Sequence, residues 1–206
     1  MSTTERTRAL RRRMVVEARR ATIEHGLHGF TLEQLCEAVG VSRRTFFNHF
    51  ASKDDAVLGI EQGAMAETLR AYTTGELVRT GLDPLGSVVA LAVEQMHLVG
   101  LDRADEALVR RVFDREPVMV AKFLAAADVQ LAAVAGAVRE RFGWTDPADR
   151  RAQLVTEVAA GLLRVTAATY FADDFDEATG PSFDALLTEN LRLTRAAVTT
   201  GQDQTA

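Results

Sequence analysis

The run from Thr31 to Phe50 constrains this chain more tightly than any other stretch of its 206 residues. Thr31 followed by Gln34 forms a capping box, and Leu32, Leu35, Cys36 and Val39 fall at i, i+3, i+4 and i+7, the spacing of one helix face. Gly40 supplies the left-handed residue that stops this helix. Only Gly40, Val41 and Ser42 separate it from a second helix, which Ser42 can cap and which is expected over Arg43 to Phe50. So short a turn forces the two helices to cross steeply, and the pair reads as a helix-turn-helix.

The second helix of the pair has two unlike sides. At about 100 degrees per residue, Phe46 and Phe50 define a packing side, while Arg44 and Asn48 project roughly opposite. Arg43, Arg44 and Thr45 occupy the first turn, the end that enters the major groove in a helix-turn-helix. Arginine can donate two hydrogen bonds to guanine O6 and N7, and Asn48 can pair in the same way with adenine N6 and N7. Phe47 is suited to a thymine methyl or the sugar-phosphate edge, and Thr45 and His49 to phosphate oxygens. Lys53 begins the following helix, capped by Ser52, where an ammonium and the helix amides can clamp one more phosphate. Taken singly, an arginine pair is ordinary solvated surface and a lone histidine is ordinary too. Phe47 is harder to set aside, because a large aromatic outside the packed side of a short polar helix normally has a partner.

Net charge, at −5, argues against nucleic acid until it is divided. Residues 1–52 carry nine arginines against five glutamates, giving +4, and the remainder carries 15 basic and 24 acidic side chains, giving −9. Such asymmetry fits a nucleic-acid-binding end joined to something else, although a solvated arginine-rich helix reads the same way on charge alone.

The fold class expected is all-α, an N-terminal three-helix helix-turn-helix domain over residues 1–52 followed by a C-terminal helical ligand-binding and dimerisation domain over 53–206. No stretch alternates apolar and polar residues over strand length, and Ala, Leu, Arg and Glu dominate. A first helix is expected from about Thr7 to His25, stopped by Gly26, with Leu10, Met14, Ala18 and Ala21 on one face. Val16 and Ile23 on its charged side suggest contact with another helix. A fourth is expected from Ser52 to about Tyr72, and others over Pro84 to Val99, Asp102 to Arg115 and Pro117 to Phe142. The last of these, apolar around most of its circumference, is expected to be central.

The run from Thr31 to Asp54, with Ala38-Val39-Gly40-Val41-Ser42, Thr45-Phe46-Phe47-Asn48-His49-Phe50 and Ser52-Lys53-Asp54 at its diagnostic places, resembles the signature of TetR-family repressors. The likeness covers about residues 10 to 60. It implies a homodimer whose N-terminal domains bind successive major grooves of palindromic double-stranded DNA, and a C-terminal domain that takes up a small molecule and lowers DNA affinity. The departures are Phe47 where the family commonly has Tyr, Cys36 where Ala is usual and Thr22 where Phe is usual. The hydroxyl lost at Phe47 shifts phosphate anchoring toward His49, Lys53 and the arginines. Glu33 would repel a phosphate, so its helix is assigned no base contact.

The last two helices are the dimer candidates. Asp146-Pro147 is expected to open one that carries Leu154, Val155, Val158, Leu162, Val165 and Thr166, and Ser182 to cap another that carries Phe183, Leu186, Leu187 and Leu191. By the resemblance they pair with their copies as a four-helix bundle. The same residues can equally pack within one chain.

An enzyme is not expected, since the chain has no G-x-S-x-G, no phosphate-binding glycine loop and no H-E-x-x-H. Neither a cofactor nor a metal is expected: Glu94 with His97 reads as a hydrogen-bonded or exposed pair, and Asp173, Asp174, Asp176 and Glu177 lack EF-hand spacing. Cys36 is the single cysteine, no apolar run approaches membrane-spanning length, and no signal sequence is recognised, which points to the cytoplasm. The C-terminal body, rich in Ala, Val and Leu, suits an apolar cavity, with His97, Arg110, Arg111, Gln130, Arg164 or Tyr170 to orient an effector. Three readings stand: a ligand-responsive repressor, a DNA-binding regulator without an effector, and a helical protein-interaction module whose basic end binds an acidic partner.

Overall fold

The computed structural model describes residues 3–61, 63–99, 103–176 and 179–199. Among them the regular elements are all helices: α1 (Thr3–His25), α2 (Leu32–Val39), α3 (Arg43–Phe47), α4 (Lys53–Leu58), α5 (Ala64–Thr74), α6 (Pro84–Val99), α7 (Arg103–Arg115), α8 (Pro117–Arg141), α9 (Arg151–Tyr170) and α10 (Phe183–Thr199). The chain is all-α, with the helix-turn-helix at its N-terminal end and a helical body after it.

Two compact units form, Met1–Glu67 with Leu101–Val129, and Thr68–Gly100 with Gln130–Ala206. This division differs from a linear boundary after residue 52, because α7 packs on α1 and draws the helix-turn-helix into one core with it. In that first unit Met14, Ala18, Leu27, Leu35, Phe46, Phe50, Val57, Val112 and Met119 are almost wholly buried. Truncating either phenylalanine to alanine costs about 3–5 kcal/mol at such a site. Thr22, where an aromatic is usual in the family it resembles, is fully buried and satisfied by donating to Ala18 O at 2.8 Å. In the second unit α6, α9 and α10 pack on one another over Val88, Val89, Leu91, Ala159, Leu162, Leu187 and Leu191. Arg141 ties this unit's α5–α6 connection by donating to Val78 O and Arg79 O, each at 2.9 Å, with its guanidinium over the Tyr72 ring.

Several expectations are corrected. The helix from Ser52 to Tyr72 is two helices, because Gly59 takes φ 76 and ends α4, leaving α5 to start at Ala64. The third helix stops at Phe47 rather than Phe50, with Asn48 as its cap. Pro147 does not open α9: Asp146 accepts from the Ala148 N–H at 2.9 Å and closes a turn, so the helix begins at Arg151. Asp102 and Glu177 lie outside the described residues.

The long apolar helix is not central either. On α8, Val118, Phe123, Leu124 and Val129 are exposed, and in the N-terminal half Met119 is the side chain that reaches the core. By length and composition α8 meets the requirement for a membrane span, against the expectation that no run does so, although Lys122 and Asp128 interrupt it. Arg164 is exposed, His97 pairs with Asp184 at 2.6 Å and Arg110 with Glu106 at 3.0 Å. Among the described residues no group of three or more His, Cys, Asp or Glu side chains is placed to hold a metal ion.

Candidate nucleic-acid interface

Local chemistry builds the turn that presents α3. The Gln34 N–H donates to the Thr31 hydroxyl at 3.2 Å, and the Thr31 N–H donates to Gln34 Oε1 at 2.7 Å, so both halves of the capping box form. Gly40 adopts φ 76 and ψ 40, which lets its own N–H reach Glu37 O at 3.0 Å and the Val41 N–H reach Cys36 O at 2.9 Å. A long-range contact completes this end. Arg13 of α1 donates to Val39 O at 2.8 Å, setting a cation at the negative end of the α2 dipole. Ser42 then caps α3 by accepting from the Thr45 N–H at 3.0 Å.

The two sides of α3 separate as the spacing demands. Phe46 and Phe50 have no exposed surface, and their ring centroids lie 5.7 Å apart. Phe47 is 41% exposed and stands edge-on to Phe46. Arg44 and Asn48 are exposed beside it, and Arg44 has no ion-pair partner among the described residues. Arg43 is also exposed, with its guanidinium 5.9 Å from the Phe47 ring and bonded to Glu33 Oε1 at 2.5 Å. The Glu33 carboxyl is held below its ordinary range by its own backbone N–H and then by Arg43. The acid is thus paired to an exposed arginine of α3.

The other three expected residues face the protein. Thr45 is half-buried and its hydroxyl lies 2.9 Å from that of Ser42. His49 is largely buried, with Nδ1 3.2 Å from Glu61 Oε1, and Glu61 in turn meets Arg11 at 3.1 Å. Lys53 donates to Phe30 O at 2.7 Å and lies 4.5 Å from the Phe30 ring centroid. Arg43, Arg44, Phe47 and Asn48 therefore share one solvent-facing cluster, while Thr45, His49 and Lys53 hold its frame.

Sequence reasoning missed a second set of residues behind this cluster. Arg19, counted among the basic side chains of the N-terminal end, is 5% exposed. Its Nε donates to Val57 O on α4 at 3.0 Å, and its Nη1 lies 4.0 Å from Asp105 of α7, which Arg12 also engages at 3.0 Å. Burial lowers the Arg19 pKa from its ordinary value, and Asp105 opposes that shift. Glu116 accepts from the Leu27 N–H at 2.8 Å, and Lys122 of α8 pairs with Asp54 of α4. The one available signal was the apolar pair Val16 and Ile23 on the charged side of α1. It gave a neighbouring helix without naming these partners. Burial pushes the Cys36 thiol up, so it remains a small protonated core group.

The sequence pattern of the bacterial regulatory proteins of the tetR family matches residues 15–58, the segment that builds this interface. The chain is similar to the HTH-type transcriptional regulator TcmR of Streptomyces glaucescens, with 29% identity over 191 residues, 88% of this chain and 84% of that protein. It is 35% identical over 78 residues to the HTH-type transcriptional repressor AcnR of Corynebacterium diphtheriae, a stretch covering 37% of this chain and 41% of that one. A transcriptional regulator of Aquifex aeolicus described as of the TerR/AcrR family shares the fold, with TM-score 0.50, 14% identity, and coverage of 90% of this chain and 99% of that one. The capped helix-turn-helix thus lies in the segment that matches the tetR family of bacterial regulatory proteins, and the chain is similar to DNA-binding transcriptional regulators.

Proposed function

We propose that the protein is a homodimeric repressor that reads a palindromic operator through α3 and is released by a small-molecule effector. The observation that carries the reading is Arg44, exposed in the first turn of α3 with no ion-pair partner among the described residues. A free guanidinium at that end of the helix is placed to donate to guanine O6 and N7. Asn48 and Phe47 flank it for adenine and thymine, and Arg43 joins them once Glu33 releases it. Thr45, His49 and Lys53 contribute by holding α3 and α4 in place, and their remaining donors face phosphate. Residues 1–52 serve DNA and 53–206 serve dimerisation and effector response, and the protein acts in the cytoplasm.

The dimer reading is supported by α9. Leu162 and Thr166 pack within the chain, whereas Leu154, Val158 and Val165 are exposed at i, i+4 and i+11 along an adjoining stripe. Leu193 and Val198 of α10 are exposed as well. A two-fold pair through these helices would present two copies of α3 to half-sites ~34–36 Å apart. Selection of bound fragments from a genomic library gives the operator. Arg44→Ala is then expected to weaken binding to it by about 1–3 kcal/mol and to flatten preference at one base of each half-site. Unchanged affinity and preference would remove α3 as the reader.

A further inference from the structure

The buried guanidinium of Arg19 borders a cavity of about 180 Å³ between α1, α4, α7 and α8 within the first compact unit, open to solvent past the exposed Phe123 ring. Its walls include Val57, Val109, Val112, Phe113 and Phe123, and the Phe113 and Phe123 rings stand 5.6 Å apart as an aromatic side. Cavities of about 150 Å³ lined by aliphatic and aromatic groups stay dry and accept benzene. This one has room for a ring and a small substituent.

The end of the cavity is polar in one way only. Arg19 carries five N–H donors, and among the described residues it makes one hydrogen bond, from Nε to Val57 O. Asp105 stands 4.0 Å away, past hydrogen-bond reach, and is held at 3.0 Å by Arg12 instead. Arg12 and Arg19 thus both approach Asp105. Glu106, which also lines the cavity, is occupied by Arg110. A largely buried guanidinium whose Nη groups remain accessible at the end of an apolar cavity is matched by an anion that brings its own apolar body.

We infer that this cavity is the effector subsite, and that it takes a small monocarboxylate with an aromatic or branched apolar body, its carboxylate on Arg19 and its body between Val109, Phe113 and Phe123. The inference rests on the reading of the protein as effector-responsive. It also supplies a route. A carboxylate on the Nη groups of Arg19 draws on the same guanidinium whose Nε ties α4 to α1 through Val57 O, so binding and that tie are coupled. The first residue of α4 is Lys53, bonded to Phe30 O ahead of α2, so a displaced α4 reaches the frame of the reading helix.

The test uses the full chain without DNA and benzoate as the probe, with benzyl alcohol as its neutral counterpart, followed by calorimetry and by the methyl signals of Val57, Val109 and Val112. Benzoate is expected to bind at least about tenfold more tightly than benzyl alcohol. Val109→Phe, which fills the chamber, is expected to weaken benzoate at least about tenfold with the melting temperature as a check on folding. Arg19→Gln is expected to abolish the preference for the acid. Absence of a saturable shift up to about 10 mM benzoate, equal affinity for the alcohol, or binding indifferent to Val109→Phe overturns the site. Release from the operator by a molecule whose affinity Val109→Phe leaves untouched overturns this site while upholding effector response. Benzoate that binds here yet leaves operator affinity unchanged overturns the regulatory route.

Discussion

Replacing Gly40 by alanine isolates the backbone contribution of the turn that aims α3. A Cβ built at this position meets nothing within 4 Å, so steric overlap contributes no cost. What remains is conformation: φ 76 and ψ 40 lie in the left-handed region, where an L-residue loses roughly 1–2 kcal/mol. Alanine recovers about 0.4–1 kcal/mol by restricting the unfolded chain. The expected net loss is about 1 kcal/mol, which at a urea dependence of about 2 kcal/mol per molar moves the midpoint down by roughly 0.5 M. The assay is a urea titration followed by the methyl signals of Leu35 and Val39, which report the first unit rather than the whole chain. Gly40→Asn supplies the control, since asparagine tolerates the left-handed region and should lose markedly less. An alanine variant with an unmoved midpoint, or an asparagine variant as damaged as alanine, would refute the argument that backbone sign alone reserves this position for glycine.

Two further substitutions follow from the same geometry. Glu33→Gln breaks the exposed ion pair that engages Arg43 and is expected to tighten operator binding modestly, read by fluorescence anisotropy; weaker binding would show that Glu33 positions Arg43 rather than withholding it. Val158→Glu places a charge in the exposed stripe of α9 and is expected to yield a helical monomer of 22.5 kDa by light scattering, whereas an unaltered dimer would move the interface elsewhere.

What was legible in the sequence was what neighbouring residues decide among themselves. Thr31 with Gln34, Gly40, and Ser42 with Thr45 are caps and turns closed within four residues, and the split of Phe46 and Phe50 from Arg44 and Asn48 is periodicity alone. His49 and Lys53 were readable as residue types but not as roles, because Glu61 and the Phe30 carbonyl lie 12 and 23 residues away along the chain. Arg19 counts as surface charge until α7 brings Asp105 to it across 86 positions. The position of α8 was misread for a related reason: composition states that a helix is apolar without stating what covers it. On α9 the same stripe of leucines and valines served two readings, and burial divides it between them, Leu162 inward and Leu154, Val158 and Val165 outward.

The employment of the N-terminal arginines sets how this protein responds to ionic strength. Arg11, Arg12, Arg13, Arg19 and Arg43 are each committed to a protein oxygen, whereas Arg6, Arg8 and Arg44 are exposed without a partner among the described residues. Each phosphate neutralised on a duplex releases counterions and adds about 0.9 to the slope of log affinity against log salt. With Arg44 given to a base, Arg6 and Arg8 give a slope of roughly 2 per protomer, and about 3 where Lys53 also meets a phosphate, well below what nine arginines suggest. Binding of that kind leans on base contacts and on the fit of α3, and it survives salt that would strip a protein held mainly by phosphates.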